Sequence, residues 1–79
     1  MEKELMLLIE YLKKNGYEND SKRVAKILND IRSENSMEAK KRLIAMCNPR
    51  YLGNLNIAEF DSIYDWWNFL SEIASKAEL

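Results

Sequence analysis

The chain has 79 residues, which bounds it to a single domain (1–79) near the smallest size at which one hydrophobic core is sufficient. It contains one cysteine and no histidine, which excludes an internal disulfide and a structural zinc site. Its composition, 47% hydrophobic and 32% charged, is typical of a folded chain and not of a disordered one. Helix packing, supplemented by a partner if needed, is therefore expected to stabilise the protein.

The N-terminal apolar run, Leu5 to Ile9, is too short and too closely flanked by acidic residues for a signal peptide. No stretch approaches the roughly 20 apolar residues that a membrane span requires. A single reduced cysteine agrees with a reducing compartment. We therefore expect a cytoplasmic protein with no membrane contact.

The net charge of −1 conceals an uneven distribution of charge along the chain. Residues 1–50 carry eleven Lys and Arg against eight Asp and Glu, for +3. Residues 51–79 carry one Lys against five Asp and Glu, for −4. This asymmetry predicts surfaces of opposite sign, with the acidic one in the aromatic-rich last third.

Apolar residues at helical spacing predict four helices and an all-α fold, a compact bundle with a long, mostly buried C-terminal helix. The first helix should run from Glu2 to Asn15, and Gly16 should end it because glycine adopts a left-handed conformation readily. The second should begin at a cap, Asp20 or Ser21. The apolar stripes of these two helices are Leu5, Leu8, Ile9 and Leu12, then Val24, Ile27, Leu28 and Ile31.

The second helix should end near Glu34, and the third should open at Asn35, with Glu38 three residues later as in a capping box. Asn48-Pro49 should end the third helix, because the residue before proline avoids the helical region. Its apolar side is predicted to comprise Met37, Leu43, Ile44 and Cys47.

Residues 56–77 are predicted to form one long helix. Asn56 is its expected cap, with Glu59 completing a capping box and Leu55 with Phe60 forming a hydrophobic staple. Its apolar arc is roughly 220° wide, against about 100° for an ordinary surface helix. The main apolar face is Phe60, Ile63, Tyr64, Trp67, Leu70 and Ala74, and a second face beside it is Trp66, Phe69 and Ile73.

The polar strip of this helix is almost purely acidic: Asp61, Asp65, Asn68 and Glu72. Two interpretations are open. The strip is either the solvated edge of a central core helix or, together with an exposed part of the second face, a contact surface for a basic partner. Because Trp67 lies centrally in the main face, it is assigned to the core, and Trp66 to the contact surface.

The residues present argue against catalysis and metal binding. A hydrolytic triad lacks its usual base, and a lone Cys47 is more often a small core residue than a nucleophile. Asp61 and Asp65 have a spacing that could hold a metal, but such sites normally take several convergent carboxylates and histidines. We expect no enzyme activity, cofactor, metal or small-molecule substrate.

The segment Tyr51-Leu52-Gly53-Asn54-Leu55-Asn56, preceded by the apolar helix end Leu43-Ile44-Ala45-Met46, resembles a motif of small helical immunity proteins. These proteins belong to bacterial toxin systems, including contact-dependent growth inhibition. The resemblance covers about half of the chain, with Tyr51 where the pattern often has glycine and Ile57 where it usually has an acidic residue.

The resemblance implies a cytoplasmic, non-catalytic protein that binds a cognate toxin, often a nuclease, and blocks its basic active-site surface. The partner-binding residues would be Arg50, Tyr51, Asp61, Asp65, Trp66 and Glu72.

Two alternatives remain open. Lys40, Lys41 and Arg42, on a third helix tightly joined to the second, could belong to a helix-turn-helix-like regulator that binds nucleic acid. The overall acidity of the chain opposes this alternative. The second aromatic face could instead be buried in a homodimer.

Overall fold

The computed structural model describes residues 2–33 and 36–78. Within these residues the chain forms four α-helices and no strand, which confirms the all-α prediction: α1 (Glu2–Lys14), α2 (Glu18–Ile31), α3 (Ser36–Met46) and α4 (Ile63–Glu78). A short 3-10 turn, Leu52–Asn54, lies in the connection before α4. The Cα radius of gyration, 11.6 Å, is about that expected for a compact domain of this length.

The first helix ends as predicted. Gly16 has a φ of 87°, the left-handed conformation that glycine adopts without strain. The N–H of Gly16 donates to the carbonyl of Lys13, and that of Tyr17 to the carbonyl of Leu12. These two bonds form a Schellman motif, which satisfies carbonyls at the helix end and turns the chain back into α2.

The second helix begins earlier than predicted. It starts at Glu18 after Tyr17, so neither Asp20 nor Ser21 is its cap. Ser21 is instead buried inside the helix, and its hydroxyl donates to the carbonyl of Ile9 across the hairpin at 3.0 Å. The predicted helix end at Glu34 and the cap at Asn35 lie outside the described residues.

Packing follows the chain order: α1 against α2, α2 against α3, and α3 against α4. The bundle closes because Tyr11 of α1 makes an edge-to-face contact with Phe69 of α4, with ring centroids 5.7 Å apart. The buried apolar residues of the helices are Leu5, Leu8, Leu12, Val24, Ile27, Leu28, Ala39, Leu43, Met46, Trp66, Leu70, Ile73 and Ala77. Met37, predicted on the apolar side of α3, is exposed instead.

The largest departure from the prediction is the start of α4, which lies at Ile63 and not at Asn56. The Ser62 hydroxyl accepts the N–H of Asp65 at 3.2 Å, the bond that an N-cap serine makes. Residues 58–62 form turns and bends, and residues 56 and 57 have no regular structure. None of the helices in the described part of the chain is long and apolar enough to span a membrane.

Candidate partner-binding surface

Two consecutive tryptophans hold the 3-10 turn against α4. The indole N–H of Trp66 donates to the carbonyl of Leu52, and that of Trp67 to the carbonyl of Gly53, both at 2.8 Å. Adjacent residues on a helix point about 100° apart. The two indoles can therefore reach two successive carbonyls of the turn, which fixes the connection on the helix.

The turn is built to receive these rings. Leu52 is fully buried, and a Cβ on Gly53 would lie only 2.9 Å from the indole nitrogen of Trp67. Only glycine fits at that position without displacing the ring. The segment that resembles the immunity-protein motif thus makes intramolecular packing contacts, with glycine required by Trp67.

Hydrogen bonds join residues 56–62 to the C-terminal end of α1 and the connection that follows it. The side-chain oxygen of Asn15 accepts the N–H of Ala58 at 2.9 Å, and its NH₂ group donates to the Glu59 carboxylate at 2.7 Å. This hydrogen bond from Asn15 is the main reason that the pKa of Glu59 is lowered. The Tyr17 hydroxyl accepts the N–H of Asn56 at 3.1 Å. Because Glu59 binds Asn15, it does not complete a capping box at Asn56.

The prediction that Trp66 is the exposed tryptophan of the contact surface is wrong. Its side chain is 2% exposed, and its ring packs against Phe60 and Phe69. The core side of α4 is Trp66, Leu70, Ile73 and Ala77, so the helix is rotated relative to the predicted main face. Trp67, assigned to the core, is half-buried.

Tyr64 replaces Trp66 as the aromatic residue of the surface. It is 69% exposed, and its ring stands edge-on to Trp67 with centroids 5.7 Å apart. Its neighbour Ile63 is also exposed. Both were predicted on the apolar main face, and the rotation of α4 brings them to solvent.

An acidic edge runs along this side of α4, and its exposed members are Asp61, Tyr64, Asp65, Asn68 and Glu72. Asp61 precedes the helix, while Asp65 and Glu72 are seven residues apart on it, about two turns. The structure therefore leaves the three predicted carboxylates exposed, with Asp65 and Glu72 on one face of α4 and Asp61 two residues before the helix. Tyr64 lies between Asp61 and Asp65 in sequence.

The charges of the acidic edge are largely unbalanced. Within the described residues, no Lys or Arg forms an ion pair with Asp61, Asp65 or Glu72. The pKa of Lys76 is raised first by its hydrogen bond to Glu4 and, in smaller part, by the charge of Glu72. Asp65 lies in the first turn of α4, where the helix dipole favours a negative charge.

A groove of about 350 Å³ opens beside the acidic edge, between the end of α1, residues 55–62 and the start of α4. Its apolar lining includes Leu55, Ile57, Phe60 and Ile63, and Asp61 also lines it. A partner could place an apolar side chain in this groove while a basic group contacts Asp61.

Arg50 and Tyr51, predicted to extend the surface, are exposed but are not directed to the acidic edge by any contact in the described residues. The Tyr51 hydroxyl accepts a hydrogen bond from the guanidinium of Arg23 on α2. The N–H of Arg50 donates to the side-chain oxygen of Asn48 at 2.8 Å. Tyr51 is thus associated with the basic side of the bundle.

The basic run of the alternative function lies on α3. Lys41 is exposed and Lys40 is half-buried. The guanidinium of Arg42 forms an ion pair with Asp30 of α2, with 3.0 Å between nitrogen and oxygen. The three side chains differ in exposure and in partners, so they do not form a uniform basic face.

Cys47 has the environment of a core residue. It is buried, and burial raises the pKa of its thiol to about 11, so the thiol is neutral at physiological pH. A neutral, buried thiol is a poor nucleophile. Among the residues that the structure describes, no three His, Cys, Asp or Glu side chains converge to hold a metal ion.

Comparisons with protein-family models, with curated proteins and with solved structures found no match to this chain.

Proposed function

We propose that this protein is a toxin-neutralising immunity protein, which binds a basic toxin domain through the acidic edge and blocks it by occupancy, without catalysis. The observation that carries the proposal is the exposure of Tyr64 among carboxylates that lack an ion-pair partner in the described residues. An exposed aromatic side chain rimmed by like charges is typical of an interface, because aromatic residues supply binding energy and rim charges supply steering.

A nuclease domain is the toxin class that fits best. Its substrate surface must be basic to hold phosphates, so an acidic protein surface can compete for the same groups. Charge steering would raise the rate of association, which matters when a toxin must be captured before it acts. Tyr64 and the groove beside Asp61 would supply the apolar contacts that charges alone do not provide.

The test is to mix the purified protein with the product of the adjacent gene and to measure a complex by sedimentation and calorimetry. We expect a 1:1 complex and protection of cells that express the gene product. The variant Asp61→Asn/Asp65→Asn/Glu72→Gln should weaken the complex by about tenfold or more, chiefly through slower association at low salt.

A matched control changes the net charge equally at exposed carboxylates away from the acidic edge: Glu18→Gln, Glu38→Gln and Glu78→Gln. This triple variant should bind as the wild type does. No complex with the wild-type protein, together with no protection of cells, would refute the proposed function. Equal weakening in both triple variants would show that net charge, and not the acidic edge, governs association.

A further inference from the structure

A second groove lies between α2 and α3, and its charge is opposite in sign to that of the acidic edge. We call it the basic groove, and its six lining residues are Arg23, Lys26, Ile27, Arg42, Ala45 and Met46. Each helix contributes residues at i, i+3 and i+4, the spacing of neighbours on one helix face. The groove is therefore the outer seam of the α2–α3 pair.

The floor of the basic groove is apolar and partly open. Ile27 and Met46 are buried beneath it, whereas Ala45 is exposed. The small side chain of Ala45 leaves the seam uncovered. The groove holds about 340 Å³, near the lower end of the range of about 300–1,000 Å³ for ligand pockets. That space suits one or two apolar side chains.

The rim of the basic groove is cationic, and no carboxylate lines it. Arg42 pairs with Asp30 at 3.0 Å and Arg23 with Asp20 at 3.8 Å, while Lys26 makes no ion pair within the described residues. An arginine has five N–H donors, so each guanidinium keeps donors for a second acidic group. The Tyr51 hydroxyl also accepts from Arg23 and helps to orient it.

We infer that the basic groove binds a short acidic amphipathic segment of another protein. An apolar side chain of that segment would occupy the floor over Ile27 and Ala45, and carboxylates on either side would contact Lys26 and the free donors of the two arginines. Helix-in-groove recognition uses this combination of apolar anchors and flanking charges.

Nucleic acid fits the basic groove less well. Phosphates would use the cationic rim but would leave the apolar floor against water. An acidic amphipathic peptide uses both. The inference does not depend on the acidic edge, because it concerns a surface of opposite sign on different helices.

The test uses fluorescence anisotropy with a fluorescein-labelled peptide that carries Leu and Phe at helical spacing and Glu elsewhere. The same peptide with Lys in place of Glu is the probe control. We expect the acidic peptide to bind and the basic one not to bind. Lys26→Glu and Ala45→Glu should each weaken binding about tenfold or more, because one reverses the rim charge and the other places a charge on the floor.

The matched protein control is Lys3→Glu, an exposed position on α1 outside the groove, which should change binding less than twofold. All three positions are exposed and glutamate is a good helix former, so the fold should be retained, which circular dichroism checks. Failure of the acidic peptide to bind, or equal weakening by Lys3→Glu, would overturn the inference.

Two further outcomes would also overturn it. Tighter binding of a short labelled duplex DNA, with a steep salt dependence, would make the groove a nucleic-acid surface. Self-association of the wild type that Lys26→Glu abolishes would make the occupant a second copy of this chain. The Lys26→Glu and Ala45→Glu variants should bind the toxin through the acidic edge as the wild type does. A negative result for the basic groove therefore leaves the proposed function untouched, and the reverse also holds.

Discussion

Trp66 and Trp67 show how much a single position on a helix decides. Both donate an indole N–H to the 3-10 turn, yet Trp66 is buried among Phe60 and Phe69 while Trp67 is half-buried against Tyr64. Residue type and position in the apolar pattern do not decide which of the two tryptophans is the buried one. The ring that lies beneath the connection becomes core, and the ring at its edge supports the exposed tyrosine.

At the residue scale, Gly53→Ala should destabilise the protein. The new Cβ would lie 2.9 Å from the Trp67 indole nitrogen and 3.3 Å from the Asn48 carbonyl, so the ring must move. We expect a loss of about 1–3 kcal/mol in the free energy of unfolding, as for overpacked sites. Urea denaturation gives this value, and a shift in tryptophan emission should accompany it.

The control is Gly16→Ala, where nothing lies within 4 Å of the new Cβ but φ is positive. It should cost about 1–2 kcal/mol through backbone strain, with tryptophan emission unchanged. A Gly53→Ala protein with wild-type stability and emission would show that the Trp67 ring moves without cost.

At the element scale, the start of α4 is a competition between two capping sequences. Asn56-Ile57-Ala58-Glu59 and Ser62-Ile63-Tyr64-Asp65 both have the spacing of a capping box. The first does not begin the helix. The Asn15 side chain accepts the Ala58 N–H and donates to the Glu59 carboxylate, and these are the groups that a capping box at Asn56 would use. At the second, the Ser62 hydroxyl caps the helix by accepting the Asp65 N–H, and it makes no other hydrogen bond within the described residues.

Two substitutions distinguish these caps. Ser62→Ala should lower the free energy of unfolding by about 0.5–2 kcal/mol, because it removes the N-cap bond. Asn56→Ala should have little effect, since its exposed side chain makes no hydrogen bond in the described structure and its backbone N–H still donates to Tyr17. Thermal unfolding of both variants measures the difference. The reverse order of effects would place the helix start at Asn56.

At the scale of the whole molecule, the first and last helices are held at both ends. The Glu4 carboxylate accepts a hydrogen bond from the Lys76 ammonium, while Asn15 fastens the segment before α4. The pKa of Glu4 is lowered from its ordinary 4.5 to about 2, and the hydrogen bond from Lys76 is the largest of the causes. Closure of the bundle therefore includes a contact that depends on pH.

The sign of the pH effect follows from the lowered pKa. The contribution of Glu4 should be fully present above about pH 4.5 and should be lost as the pH falls toward 2. Glu4→Gln should therefore be less stable than the wild type at pH 7, and the gap should narrow below pH 4.5. The difference in stability should also shrink with added salt, because Lys76 is exposed and Glu4 is only half-buried, so dissolved ions can screen the pair.

Glu10→Gln is the matched control, because Glu10 pairs with Lys14 inside α1 and joins no second helix. Urea denaturation of the three proteins across pH measures the gaps. If the gap between Glu4→Gln and the wild type were constant from pH 7 to pH 2, the contact between α1 and α4 would not be electrostatic.

Local sequence determined a large part of this protein. Leu5, Leu8 and Leu12 predict the buried face of α1, and Gly16 predicts its end, because both signals act within one or two turns of chain. The same holds for Val24, Ile27 and Leu28 in α2. The separation of charge is also a property of sequence alone, since it needs only the position of each ionisable residue along the chain.

Tertiary structure alone decided the start of α4 and the orientation of its faces. An apolar arc as wide as that of α4 has no unique buried side, so its rotation depends on what packs against it. The 3-10 turn accepts hydrogen bonds from both indoles through Leu52 and Gly53 and covers Trp66, which is buried. Tyr64 is then exposed beside Asp65. The helix is capped at Ser62 and not at Asn56, because Asn15, which is far away in sequence, binds the groups that a cap at Asn56 would use. The start of α4 and the orientation of its faces both depend on contacts between residues far apart in sequence, which periodicity and local motifs do not encode.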